Sequence, residues 1–160
     1  FTTTLAGERG AIRGDYRASE DVEFLARSVI VNEDALAFFG VGGFFAHWED
    51  LREVPVDFGA GPAHPDVRSV LAGDYAPLTR TFFLYVAAEA ADRPEVADFV
   101  TATLRSLPRW IVFTGYMPLA PDDYPRILAR FEARATGTAF GGTLPLGLAP
   151  GAVVEAVLTH

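Results

Sequence analysis

Few residues in this sequence could do chemistry, and their spacing limits what that chemistry could be. His47, His64 and His160 stand far apart, with no H-E-x-x-H or similar spacing to bring two imidazoles and a carboxylate to one metal. Ser19, Ser28, Ser69 and Ser106 are the only serines, and none sits in a G-x-S-x-G turn. Cysteine is absent, which removes disulfides, thiolate metal sites and thiol nucleophiles. Asp122-Asp123 pairs two acids in sequence, but adjacent side chains diverge on a helix, and acids suit a helix's first turn. No nucleophile, base and orienting group come together. The expectation is a non-enzyme with no catalytic residue, no metal site and no cofactor.

Two other groupings could meet an anion. Ser19-Glu20-Asp21 opens a helical pattern, and a helix N-terminus presents unpaired N–H groups and the positive end of a dipole. The plainer reading is that Ser19 caps the helix and the acids complement the dipole. Arg80 stands in Thr79-Arg80-Thr81, at the mouth of the apolar run Phe82-Phe83-Leu84-Tyr85-Val86. It is either a ligand or hinge arginine, or a salt-bridged residue at a strand mouth. Gly40-Val41-Gly42-Gly43 resembles a dinucleotide fingerprint only superficially. Phe45 stands where its third glycine belongs, so a tight turn with close packing is expected instead.

The elements that would position these residues alternate between helix and strand. Thr2–Ala6 reads as the last turns of a helix whose start precedes Phe1, ended by Gly7. After Ser19, the residues Val22, Leu25, Ala26 and Val29 share one helical face. Ala35–Phe39 is expected as a short buried strand, Leu51–Val56 as a strand marked as an edge by Pro55, and Thr81–Ala87 as a third strand. Gly59–Pro65 is the most linker-like stretch. Further helices are expected over Asp66–Ala72, from Pro94 onward, over Arg109–Thr114, over Asp122–Ala135 and over Gly151–Leu158. This alternation gives an α/β architecture. Its three short strands could not shield their own edges, so a partner segment, or pairing between copies, is expected.

Bulk composition excludes other classes. The 160 residues are half hydrophobic with a mean hydropathy of +0.20, which is globular material. No apolar run has the length of a membrane span. All 13 basic residues are arginines and the net charge is −8, a balance unsuited to nucleic acid. An anion site on such a surface has to work through local dipoles and hydrogen bonds.

Several blocks together resemble a known family. In order they are FTTTLAGERGAIRGDY, ASEDVEFLARSV, ALAFFGVGGFF, LREVPVDFGAGP, GDYAPLTRTFFLYV, RPEVADFV and GYMPL. The most specific are Ala18-Ser19-Glu20-Asp21, Ala37-Phe38-Phe39-Gly40 and Tyr75-x-Pro77-Leu78-x-Arg80. They resemble the substrate-binding proteins of ABC phosphate importers from residue 1 to about residue 142, and more loosely beyond. The resemblance implies the C-terminal part of a type II periplasmic-binding-protein clamshell. Residues 1–80 would belong to the second lobe. Residues 81–142 would hold the hinge-crossing strand and complete the first lobe, and 143–160 would be a C-terminal extension. It further implies binding of inorganic phosphate or a similar oxyanion between two lobes, delivery to ABC permease subunits in the membrane, and a place in the periplasm or on the outer face of the cytoplasmic membrane. The family's R-x-x-x-S-G-T anion motif would lie immediately before Phe1, so its main ligands map to no residue here. Ser19, Glu20 and Asp21 are then expected as ligand-binding or cleft-proximal, and Tyr75 and Arg80 as hinge or rim residues. The competing expectation is a non-transport interaction or scaffold module built on the same fold.

Overall fold

The computed structural model describes residues 2–143 and 147–160. Phe1, beside which the anion motif is expected, and residues 144–146 of the expected extension lie outside the described residues.

Local signals set the helices. Helix α1 covers Thr2–Ala6, and Thr2 Oγ1 accepts a hydrogen bond from the Gly10 amide at 2.9 Å to tie down the loop that follows. Helix α2, Val22–Ile30, is capped by Asp21, whose Oδ1 accepts from the Phe24 amide at 3.1 Å. The expectation that Ser19 caps this helix is corrected. Its hydroxyl accepts instead from the Asp21 amide at 3.0 Å, in a turn that sets the true cap in place. Helix α3, Val41–Ala46, starts after Gly40, so the glycine quartet is a helix start as well as a turn.

Helix α4, Val67–Ala72, has Asp66 as its cap, with Oδ1 accepting from the Ser69 amide at 2.8 Å, and stops at left-handed Gly73. That hydrogen bond to the backbone holds the Asp66 carboxyl below its ordinary range. Helix α5 begins at Pro94 and runs through Pro108 to Trp110. A tighter turn, Ile111–Thr114, continues it to left-handed Gly115. The two helical pieces expected here are therefore joined. Helices α6, Asp123–Glu132, and α7, Pro150–Leu158, complete the set.

The strands differ from expectation. Among the described residues the only ladder is antiparallel, β1 (Val56–Asp57) to β2 (Pro62–Ala63), with Val56 opposite Ala63. The stretch expected as a linker, Gly59–Pro65, is thus half of a hairpin. Asp57 Oδ1 closes it by accepting from the amides of Gly59 at 2.7 Å and Gly61 at 3.0 Å. Residues 35–39, 51–55 and 81–87 have no regular secondary structure and no ladder. The expectation of a buried strand at 35–39 is also corrected, since Leu36 is 79% exposed. Apolar patterning makes a segment suited to a sheet, but a strand exists only when a neighbour takes its N–H and C=O groups.

The core lies where α5 packs on α6, α6 on α7 and α7 on α4. Val100, Ile111, Tyr124, Val153 and Val154 are buried there, and the Tyr124 hydroxyl accepts from the Leu119 amide at 3.0 Å. A smaller contact joins α2 to α3. Among the described residues no helix is long and apolar enough to cross a membrane.

Candidate functional site

The Tyr75–Arg80 block is a built corner. Ala76–Leu78 forms a single tight turn after Tyr75. The Tyr75 carbonyl accepts from the Leu78 amide at 3.2 Å and from Thr79 Oγ1 at 2.8 Å. The Tyr75 ring meets Phe58 of the β-hairpin edge-on, with centroids 6.0 Å apart. Burial, and secondarily the charge of Glu53, pushes the Tyr75 hydroxyl above its ordinary pKa, so it stays protonated and able to donate. Beyond this corner Arg80 is exposed. Among the described residues it makes no hydrogen bond or ion pair, so the salt-bridged reading of Arg80 is not what the structure contains. A shallow hollow of about 250 Å³, lined by Thr3, Thr4, Pro77 and Gly147, lies against the same turn.

Ser19, Glu20 and Asp21 sit at the entry of α2. Here the Asp21 carboxylate already takes the position that a bound anion would occupy at this terminus. Among the described residues no hydrogen bond, ion pair or ring contact joins this trio to Tyr75 or Arg80. The chain brings each group to a defined corner without bringing the two together.

Two histidine–carboxylate links, unmarked by any local motif, brace these corners. His47, just past α3, pairs through Nε2 with Glu23 Oε2 of α2 at 2.7 Å, and Glu23 also pairs with Arg27 one turn on. His64 Nδ1 pairs with Glu53 Oε1 at 2.5 Å and holds the hairpin to the 51–55 segment. The Glu23–Arg27 spacing was legible as an i, i+4 pair. The histidine partners were not, since they come from 24 and 11 residues away. Among the described residues no group of three or more potential ligands is placed to hold a metal.

The His47 link carries a pH dependence. Its hydrogen bond, followed by that of Arg27, lowers the Glu23 carboxyl below its ordinary range. A carboxyl lowered on folding stabilises the fold above its unfolded pKa, and that contribution fades as pH falls through the lowered value. The thermal midpoint of the native chain should therefore exceed that of Glu23→Gln at pH 5. The gap should close toward pH 3, as followed by circular dichroism. A gap that widens on acidification would contradict the assignment.

The most conspicuous surface is apolar. Phe82, Leu84 and Tyr85 of the segment 81–87 are exposed, Tyr85 to 83%, as are Val112, Phe113 and Tyr116 beyond α5, Phe113 to 86%. Phe82 and Tyr116 face each other with centroids 5.4 Å apart, so the two stretches form one strip. The whole chain exposes 11176 Å², whereas a compact monomer of 17.3 kDa exposes about 7,800 Å². The difference is on the order of 3,000 Å².

Comparison with known proteins adds relatives but no template: no family model and no solved structure matches the chain. The chain is 33% identical over 156 residues to Protein SphX of Synechocystis sp., a match covering 97% of this chain and 46% of that protein. It is 32% identical over 148 residues to Protein SphX of Synechococcus elongatus, covering 92% and 44% respectively. The chain thus spans less than half the length of these curated relatives.

Proposed function

We propose that this chain is part of an extracytoplasmic substrate-binding protein that takes up inorganic phosphate for an ABC importer, with the anion held between two lobes of a type II clamshell. The observation that carries the reading is the ordered set of blocks, above all Ala18–Asp21, Ala37–Gly40 and Tyr75-x-Pro77-Leu78-x-Arg80. Relatives more than twice the matched length leave room for the rest of the two lobes. The exposed aromatic strip supports the same reading, because Thr81–Ala87 is mostly apolar and without a ladder, as a strand completed by another segment would be. Tyr75 and Arg80 then stand at the hinge or rim, where the chain passes from one lobe to the other. Ser19, Glu20 and Asp21 flank the cleft, and the principal anion grip comes from residues outside this chain. The partner in transport is a membrane permease. Mechanistically, closure about the hinge would bring helix N-terminal amides and hydroxyls onto a dehydrated anion.

Isothermal titration tests this. The chain by itself should give no resolved heat with phosphate. A chimera joining it to the unmatched portion of the Synechocystis relative, verified by cooperative unfolding, should bind phosphate in preference to sulfate and molybdate. A folded chimera that gives no heat with any of the three anions would remove the transport reading and leave the interaction-module alternative.

A further inference from the structure

We propose that helix α7 is a strap that fixes residues 1–80 against residues 81–142 and so sets the angle between the two portions. This inference rests on the reading of those portions as parts of two lobes.

The placement of α7 supports the assignment. At 1.5 Å per residue its nine residues span roughly 13 Å, and its two ends rest on different portions. At the N-terminal end, a Cβ built on Gly73, the cap of α4, would lie 3.1 Å from the Ala149 Cβ. Gly147 also lines the same hollow as Pro77 of the hinge corner. At the C-terminal end, a Cβ built on Gly137, beyond α6, would lie 3.1 Å from the His160 carbonyl oxygen. Between these ends Val153 and Val154 are among the most buried side chains in the chain, at 2% and 4% exposure. They lie in a helix that packs on both α4 and α6.

An ion pair fixes the helix's rotation. Arg126 of α6 donates to both carboxylate oxygens of Glu155, at 2.6 and 2.8 Å, and also to Asp123 Oδ1 at 3.3 Å. A forked contact defines orientation as well as distance. Exposed pairs contribute little stability, so its value here is geometric. A second close contact between the portions is the backbone crossing of Gly42 with Gly115, where a Cβ on either glycine would fall within 2.8 Å of the other's Cα. Pivot and strap at separate places set one resting angle, from which closure about the hinge would have to flex, whereas either contact alone leaves a rotation free.

The native absence of cysteine allows a clean test. Arg68 of α4 and Ala129 of α6 are exposed. Cysteines at these two positions can carry spin labels for distance measurement by pulsed electron resonance. The otherwise native chain should give one narrow distribution. Adding Val153→Ala and Glu155→Gln to the labelled chain should at least double its width while helical circular dichroism is retained. If that pair unfolds the chain, Glu155→Gln alone is read, and a smaller broadening is expected. An unchanged width in a folded variant overturns the strap. None of these measurements contains phosphate. A strap that passes while the chimera fails to bind would therefore sink only the transport reading, and the reverse outcome only the strap.

Discussion

Gly115→Ala should lower the thermal midpoint of this chain by about 10 °C, while Gly14→Ala should leave it nearly unchanged. Gly115 has φ +80 and lies against the first turn of α3, where an added Cβ would stand 2.8 Å from the Gly42 Cα. The left-handed conformation costs an alanine about 1 kcal/mol, and overpacking against backbone costs about 1–3 kcal/mol more. A total of about 3 kcal/mol corresponds to roughly 10 °C in a chain of this size. Gly42→Ala, without the positive φ, meets the Gly115 Cα at 2.7 Å and should cost about 2 kcal/mol. Gly43→Ala is instructive by contrast. Its Cβ would meet the Val22 Cγ1 at 2.2 Å and the Phe39 ring at 2.9 Å, but these are side chains that can turn away, so its effect should be smaller. Gly14 has ordinary φ and nothing within 4 Å. Thermal melts of the four variants check the series. A Gly115→Ala midpoint within about 2 °C of native, less than the shift from 1 kcal/mol, would mean that the crossing is absent in solution.

Val153→Asp should destabilise the chain by about 4 kcal/mol, and Ala152→Asp, one residue earlier, by almost nothing. Val153 is 2% exposed between α4 and α6, whereas Ala152 faces solvent. A carboxylate at position 153 has to be desolvated without a partner or held protonated, and either state is costly in a close-packed interior. A loss of that size approaches the whole stability of a marginal domain. The Val153 variant should therefore show weakened cooperativity and gain surface that binds a hydrophobic dye. Urea titrations of the pair make the comparison. Equal midpoints for the two variants would show that α7 does not dock as described.

The Gly115 and Val153 results bear on different contacts between the same two portions of the chain, so together they report whether residues 1–80 and 81–142 form one cooperative unit. If both substitutions lower a single transition, the portions unfold together. If Gly115→Ala splits the melt into two steps, the crossing is the main source of coupling, and α7 by itself is too weak to maintain it. Either pattern is informative about the proposed hinge, since a receptor that closes needs a coupling firm enough to fold and soft enough to move.

Legibility followed interaction range. Helix α4 ends at Ala72, α5 starts at Pro94 and its last turn ends at Thr114, each as read from the sequence, because caps and stops are decided within a turn or so of backbone. Ser19 was misassigned by two residues. A serine and an aspartate in one Ser-Glu-Asp run both suit a cap, and local chemistry could not rank them. The Arg126–Glu155 fork and the Glu23–His47 link join residues 29 and 24 positions apart. Nothing in sequence spacing pairs them.

The sequence by itself determined the extent of α4 and the start of α5 at Pro94, the absence of thiol chemistry, the acidic balance and the apolar character of residues 82–86. Tertiary structure decided which of the apolar segments is covered. Val153 finds α4 and α6, whereas Phe82 and Tyr85 find no ladder among the described residues and remain at the surface. The reason is physical: a helix satisfies its own backbone hydrogen bonds, so its residues suffice to place it. A strand satisfies its own only through a neighbour, and whether that neighbour exists is not written in the strand.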